Sequence, residues 1–251
     1  IMNKYKYDNF SIFTGTVGEN RKVIVELHQN KKSFVFIKIP ITESSKELVK
    51  NEIETLNFLK SLEFNKMNIP VILDENENSN AELENIKPKR YNQSSTLNNL
   101  QIDALNELYT NTNKTLYWKD LDVFQLIKDN IKSLGENGRI VNKLIEKDIK
   151  VLIQKKSLLL DYLGESEKIV SVSLSHGDFT PWNMYLTKEK LHVFDWELSE
   201  KEMPLMYDLY HYVFQSEIMI KHNGYKQIQE SLKDILKKSN IKLIIKKFDI
   251  D

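Results

Sequence analysis

The sequence predicts an α+β fold in which a small strand-rich lobe precedes a larger helical lobe. Residues 7–39 contain segments rich in β-branched and aromatic residues, whereas residues 43–62 change to helical periodicity. From residue 96 onward the periodicity is mostly helical. A chain of 251 residues can form one large core or two small lobes. We therefore expect an N-terminal lobe over residues 1–86 and a helical lobe over 87–251.

In the N-terminal lobe, two predicted strands at 7–14 and 21–28 flank the turn TGTVGEN, and a third strand covers 33–39. The next segment is a predicted helix over 43–62, with Ser44 or Ser45 as its N-cap. The apolar face of this helix consists of Leu48, Ile53, Leu56 and Leu59. Short strands at 71–73 and 81–86 complete the lobe, with DENENSN as a solvated turn between them.

In the C-terminal lobe, periodicity predicts helices and only a few strands. The predicted helices cover 97–110, 121–134, 139–163, 205–220 and 225–238. The segment GENG separates the second from the third. Strands are predicted only beside the motif described below, at 184–186 and 191–194.

The composition excludes several classes of protein. Hydrophobic residues make up 41% and charged residues 29%, as in ordinary globular proteins, and the formal net charge is +0. No global field therefore favours nucleic acid or a membrane surface. The absence of cysteine excludes disulfides, thiolate catalysis and cysteine–zinc sites. Since no signal peptide or transmembrane run is present, we expect a cytoplasmic protein that binds neither nucleic acid nor membrane.

The segment SLSHGDFTPWN and the later segment VFDWE carry the strongest chemical signal. Asp178 precedes Asn183 by five residues, and an apolar stretch then ends at Asp195. In kinases one carboxylate accepts the proton of the acceptor hydroxyl, while an amide oxygen and a second carboxylate bind Mg²⁺. Each residue alone could simply cap a turn. Their joint spacing favours Asp178 as the base and Asn183 and Asp195 as metal ligands.

These segments resemble those of the aminoglycoside phosphotransferase and choline kinase family. The resemblance is carried by HGDFTPWN (176–183), VFDWE (193–197) and PLMYDLYHY (204–212). It covers about residues 7–220 and implies a two-lobed protein-kinase-like fold. The family commonly has Gly-Asp-Pro before the third segment, whereas residues 202–204 here are Glu-Met-Pro. One acidic residue expected on the acceptor side is therefore missing.

Lys38 lies in the third predicted strand, where a kinase-like lysine reaches the α- and β-phosphates. Strand alternation places Ile37 and Ile39 on one face and Lys38 on the other, toward the nucleotide cleft. Helical spacing places Glu52 on the inward face of the next helix, whereas Glu54 points elsewhere. This predicts an ion pair between Lys38 and Glu52, although a lysine in a lysine-rich chain can also be simply solvated.

Two shorter segments resemble nucleotide-binding elements. The turn from Gly15 to Gly18 is a thin version of a glycine-rich phosphate loop, although two glycines are also ordinary in a hairpin turn. The connector ENI resembles the family's hinge. There, backbone groups of Glu84 and Ile86 would contact adenine.

The resemblance also implies roles around the catalytic segment. His176 would be a partly buried imidazole that ties the loop to its neighbours, and Asp208 would accept hydrogen bonds from the loop's backbone amides. Trp182 and Trp196 are expected to pack around the site, because large aromatic residues supply core area more often than they stack on ligands. Glu197 would either approach a second metal ion or form a surface salt bridge.

The expected protein is a kinase that uses Mg²⁺ and ATP, or GTP, to phosphorylate a hydroxyl of a small molecule. Acceptor classes are amino sugars, other sugars, choline and related metabolites. A protein substrate is disfavoured, because no A-P-E signature follows Asp195 and Pro204 arrives only nine residues later. We expect a monomer or homodimer. Two alternatives are an inactive nucleotide-binding regulatory module and an interaction protein that binds no nucleotide and uses helices such as 139–163.

Overall fold

The computed structural model describes residues 4–75, 80–136, 143–165 and 167–250. Its strands are β1 (Asn9–Phe13), β2 (Lys22–Gln29), β3 (Lys32–Pro40), β4 (Met67–Asn68), β5 (Ile72–Glu75), β6 (Ala81–Glu84), β7 (Lys114–Tyr117), β8 (Ile169–Ser175), β9 (Met184–Leu186), β10 (Leu191–Val193) and β11 (Glu200–Pro204). Its helices are α1 (Glu43–Lys60), α2 (Asn99–Thr112), α3 (Asp122–Glu136), α4 (Lys143–Glu165), α5 (Tyr207–Gln215), α6 (Tyr225–Leu236) and α7 (Ser239–Lys247). Together they form the predicted two-lobed, kinase-like α+β fold.

The N-terminal lobe consists of a five-stranded antiparallel sheet and α1. The strand order is β1-β2-β3-β6-β5. In β3, Ile37 pairs with Val25 and packs in a small apolar cluster with Leu27 and Val35. Because side chains alternate along a strand, Lys38 then lies on the opposite face of the sheet.

Helix α1 begins two positions earlier than a Ser44 cap would require and three earlier than a Ser45 cap. Thr42 is the N-cap: its side chain accepts a hydrogen bond from the Ser45 amide, and the Ser45 side chain accepts one from the Thr42 amide. This reciprocal capping box satisfies two amides that lack partners within the helix. The N-cap prediction of Ser44 or Ser45 was therefore wrong, although Ser45 takes part in the cap.

Two three-stranded sheets flank the segment 176–183, which carries Asp178 and Asn183. One has the order β4-β10-β9, and the other has the order β11-β8-β7. Strand β4 pairs in parallel with β10, so residues 67–68 of the N-terminal part join a sheet of the helical part. Buried residues of α1, α2 and these sheets form one continuous core, in which Trp196 is fully buried.

Several elements differ from the sequence prediction. The strands β4, β7, β8 and β11 and the helix α7 were not predicted. The predicted helix over 205–220 is α5 followed by a single π-helical turn, Ser216–Ile220. Outside the described residues lie 139–142 of another predicted helix, Asn137 and Gly138 of the GENG break, and most of the DENENSN turn. No helix in the described part of the chain is both long and apolar enough to cross a bilayer.

Candidate active site

Lys38 is the centre of an ion-pair cluster between the two lobes. Its Nζ lies 2.6 Å from Glu52 Oε2 and 2.6 Å from Asp195 Oδ1. The lysine is 7% exposed and Glu52 is fully buried. Burial by itself would lower the pKa of Lys38, but Asp195 and Glu52 outweigh it and raise that pKa. The ammonium therefore stays charged and joins β3, α1 and the segment after β10.

Asp195 adopts a left-handed backbone conformation, with φ 68° and ψ 58°. Asp and Asn tolerate this region better than most residues. The next residue, Trp196, begins a 3₁₀ turn, and its amide donates a hydrogen bond to Glu52 Oε1 at 3.2 Å. Burial would raise the pKa of Asp195, but the Lys38 ammonium more than offsets this and lowers it to about 2. The carboxylate is thus ionised at neutral pH.

Glu197 forms a partly buried ion pair. Its carboxylate contacts the Lys22 ammonium from β2 and lies 3.9 Å from Lys38 Nζ, and its side chain is only 13% exposed. Carboxylate oxygens of Glu52, Asp195 and Glu197 all lie within 4.8 Å of one another. Glu197 thus forms a salt bridge, one of the two roles expected for it, and this pair is partly buried instead of lying on the surface.

Helix α1 is fixed to the segment that follows Asp195. Asn51 Nδ2 donates hydrogen bonds to the backbone oxygens of Glu197 at 3.0 Å and Ser199 at 2.9 Å. The hydroxyls of Thr55 and Ser199 are 2.6 Å apart and share a hydrogen bond. These contacts hold Glu52 in reach of Lys38.

Asp178 lies in the loop after β8, with both carboxylate oxygens hydrogen-bonded. Asn183 Nδ2 donates to Asp178 Oδ2 at 2.8 Å, and His211 Nε2 lies 3.0 Å from Asp178 Oδ1. The Asp178 side chain remains 27% exposed. Because Asn183 uses its amide nitrogen here, its side-chain oxygen is left for another partner. Asn183 belongs to the same loop, in a 3₁₀ turn begun by Pro181.

The buried side chains of His176 and Asp208 hydrogen-bond to the backbone of this loop. His176 Nε2 donates to the Phe194 carbonyl at 2.9 Å, and its Nδ1 accepts from the Asp178 amide at 3.2 Å. Burial lowers the pKa of His176 to about 4, so the imidazole is neutral. Asp208 accepts from the amides of His176 at 2.7 Å and Gly177 at 3.1 Å, while burial raises its pKa to about 6.

Gly177 is required by the close approach of two loops. Its φ is +81°, and a Cβ built there would lie 1.8 Å from the Leu198 carbonyl oxygen. No side chain fits at that distance, and L-residues rarely adopt this conformation. Glycine thus lets the loop of Asp178 pack directly against the turn that follows Asp195.

A cavity of about 170 Å³ lies beside this cluster. Its walls include the predicted residues Lys38, Glu52, Glu84, Ile86 and Asp195. The other lining residues are Ile24, Phe36, Pro70, Leu83, Asn85, Tyr185 and Phe194. The rings of Tyr185 and Phe194 stack with centroids 5.0 Å apart. The cavity therefore has mostly apolar walls and a charged region at Lys38 and Asp195.

Neither glycine of the predicted phosphate loop lines the cavity, and one of the two tryptophans is not packed as predicted. Gly15, with φ +68°, packs against the Lys22 backbone, whereas Gly18 faces open space, and neither lines the cavity. Trp196 is fully buried as expected, but Trp182 is 41% exposed. The packing role predicted for Trp182 was therefore wrong, because its side chain is partly exposed to solvent.

Comparison with solved structures identifies the fold. The gentamicin complex of APH(2")-IIa aligns with 99% of this chain and 83% of its own, at 16% identity and a TM-score of 0.58. The GDP and kanamycin complex of APH(2")-IIia aligns with 98% of this chain and 94% of its own, at 13% identity and a TM-score of 0.54. An amicoumacin kinase in complex with AMP-PNP and Ca²⁺ covers 90% of this chain and 71% of its own, at 14% identity and a TM-score of 0.50.

The chain has the aminoglycoside phosphotransferase fold. No family model matches the sequence, and no curated protein matches it significantly. The sequence shares 16% identity or less with these structures.

Two polar residues beside the site, His211 and Lys22, were not predicted from the sequence. His211 follows Asp208 by three residues, so helical spacing places both toward the same loop and could have revealed it. Lys22 is the first residue of β2, but nothing local in the sequence indicates Glu197 as its partner. Aromatic residues of the cavity wall, Tyr185 and Phe194, belong to short strands whose pairing only the fold provides.

The Lys38–Glu52 pair makes a first testable prediction, on stability. Lys38→Met should lower the free energy of unfolding by roughly 3–5 kcal/mol, because Glu52 then stays buried without its counter-charge. The double variant Lys38→Met/Glu52→Gln should recover most of this loss. Denaturant titration measures both, with Lys32→Met, an exposed lysine of the same strand, as the control. Equal stability of Lys38→Met and the wild type would contradict the ion-pair assignment.

Proposed function

We propose that this protein is a Mg²⁺-dependent phosphotransferase that moves the γ-phosphoryl group of ATP or GTP to a hydroxyl of a small molecule. One observation carries the proposal. Lys38, Glu52 and Asp195 come from three distant segments, yet the Lys38 ammonium lies 2.6 Å from each of the two carboxylates at the wall of the apolar cavity. A nucleotide needs this combination, since it carries an apolar base and a polyanionic tail.

The cavity fits a nucleobase in its chemistry. Ile24 and Phe36 from the sheet and Tyr185 and Phe194 from the other lobe offer apolar surface to the two faces of a ring. Ile86, in the connector after β6, also lines the cavity; within the described residues its backbone amide has no hydrogen-bond partner. That amide is suited to bind a base edge. The neighbouring structures include complexes with ATP, GDP and AMP-PNP.

The polar end of the cleft fits a magnesium ion. Mg²⁺ prefers oxygen ligands and retains several waters. Asp195 is ionised, and Asn183 is oriented by its hydrogen bond to Asp178 so that its side-chain oxygen is available. These two residues would hold the ion, with Glu197 close enough to assist. Bound Mg²⁺ would neutralise charge on the phosphate oxygens.

The chain's own residues then perform three tasks. Asp178 accepts the proton of the acceptor hydroxyl while the hydroxyl oxygen bonds to the γ-phosphorus. At the same time, the bond from the γ-phosphorus to the oxygen of the departing nucleoside diphosphate breaks. Lys38 positions the phosphates, held in place by Glu52. Phosphoryl transfer has a loose transition state, so orientation contributes more than a strong base.

The acceptor belongs to the class of small hydroxylated molecules. The neighbouring structures include phosphotransferases for aminoglycosides and a macrolide, and an amicoumacin kinase. Amino sugars, other sugars and choline-like metabolites are the classes to test. We place the nucleotide-binding lobe at residues 1–86 and the acceptor-binding lobe at 87–251, with Glu84 and Ile86 at the hinge.

Two measurements test the proposal. Thermal shift with ATP and Mg²⁺ should show stabilisation, because a ligand that binds only the folded state at a hundredfold excess over Kd adds about 2.7 kcal/mol. An ATP-consumption screen over aminoglycosides, sugars and amino alcohols should then find an acceptor. Nucleotide binding without turnover on any acceptor would favour the inactive regulatory module. That alternative is supported by one observation, that Gly15 and Gly18 do not line the cavity. No nucleotide binding would refute both.

A further inference from the structure

His211 is a polar residue of helix α5 that reaches the carboxylate of Asp178. Its Nε2 lies 3.0 Å from Asp178 Oδ1, and the two side chains are 20% and 27% exposed. An ionised carboxylate only accepts hydrogen bonds, so Nε2 carries the hydrogen. We propose that His211 is a positioning residue, which fixes the plane of the Asp178 carboxylate toward the acceptor hydroxyl. This inference rests on the proposed function.

The carboxylate needs such a fixing contact. The terminal torsion of an aspartate is broad, so its own rotamer preference does not set the orientation of the two oxygens. Asn183 donates to Oδ2 at 2.8 Å and His211 donates to Oδ1, one donor to each oxygen. A carboxylate offers about four lone-pair sites, so each oxygen retains one for an acceptor hydroxyl.

His211 is itself held by its surroundings. Its ring stacks on that of Tyr207 with centroids 5.8 Å apart and planes inclined by 24°. One turn away on α5, Asp208 binds the amides of His176 and Gly177 in the loop that carries Asp178. Helix and loop are thus joined as one unit, so the imidazole has a defined position relative to the carboxylate.

The experiment separates positioning from a merely structural role. His211→Phe keeps an aromatic ring but removes the donor, whereas His211→Gln keeps an N–H donor. Both variants are compared with Asp178→Asn and with the double variant His211→Phe/Asp178→Asn. The control is Tyr210→Phe, because Tyr210 also lies on α5 but lines a separate cavity. Turnover is followed as ATP consumption with Mg²⁺, using the acceptor from the screen and, in parallel, water. Nucleotide affinity is measured with AMP-PNP.

We expect His211→Phe to lower kcat by roughly 10- to 100-fold, the scale of a misplaced catalytic group, with KM for ATP unchanged. His211→Gln should retain most of the activity. In the Asp178→Asn background, His211→Phe should cause no further loss, since residues that act through one group are not additive.

Three outcomes would overturn the inference. A wild-type kcat for His211→Phe while Asp178→Asn is impaired would refute the role of His211 and leave the proposed function standing. A full additional loss in the Asp178→Asn background would show that His211 acts independently of Asp178. Wild-type protein that consumes no ATP with any acceptor would refute the proposed function and, with it, this role.

Discussion

Asp195→Asn is expected to reduce phosphoryl transfer by at least about 10³-fold, the upper range for removing one preorganised electrostatic contact in an active site. The substitution keeps the size of the side chain and tolerates the left-handed backbone at this position, where φ is 68°. It removes the charge that would bind Mg²⁺. Nucleotide affinity should therefore lose most of its dependence on Mg²⁺, measured by titrating AMP-PNP at several Mg²⁺ concentrations.

The control for this variant is Asp234→Asn, which changes an exposed carboxylate paired with Lys237 on the surface. Asp195→Asn should remain folded, since Lys38 keeps Glu52 as its partner at 2.6 Å. Circular dichroism and denaturant titration check this. Wild-type turnover of Asp195→Asn in saturating Mg²⁺ would remove Asp195 from the metal site.

Asp178→Asn is expected to lower turnover by about 10²–10⁴-fold, the usual contribution of a positioned base. The variant keeps the shape of the side chain and an oxygen that can accept from one of its two donors, but it cannot take up the acceptor proton. Asp178 is not among the residues that line the cavity proposed to bind the nucleotide. The affinity for ATP should therefore stay nearly unchanged, so the loss falls on kcat.

Single-turnover kinetics on the acceptor found by the screen provide the cleanest measurement, because they isolate the chemical step from product release. Asp129→Asn, an exposed carboxylate that accepts a bond from Gln125, is a suitable control. Near-full activity of Asp178→Asn would mean that the proposed mechanism is wrong.

Much of the fold could be predicted from the sequence where one local pattern decides an element. The strand β9 matches its predicted limits, and β3 and α1 lie within two residues of theirs, because alternating and helical periodicities are strong there. By contrast, β4 contains only two residues, and β11 is irregular, with a register shift against β8 between Glu200 and Met203. Strands of this kind form because a segment distant in the sequence lies beside them and pairs with them.

For the candidate site, the sequence predicted the residue types and left their contacts open. The spacing of Asp178, Asn183 and Asp195 was sufficient to propose their chemistry, and Lys38 with Glu52 followed from the faces of a strand and a helix. The Lys22–Glu197 pair joins positions 175 residues apart, so no local pattern can predict it. The apolar cavity wall is likewise a product of two lobes that meet.

The attachment of α1 to the segment after Asp195 has a consequence for control of activity. In protein kinases, placement of the corresponding helix is a regulated step. Here Asn51, Thr55 and Glu52 tie α1 to that segment through side-chain hydrogen bonds. Displacement of the helix would break these bonds together and would move the buried Glu52 away from Lys38. A partner that regulated this chain by moving α1 would therefore have to supply the free energy of the whole set of contacts.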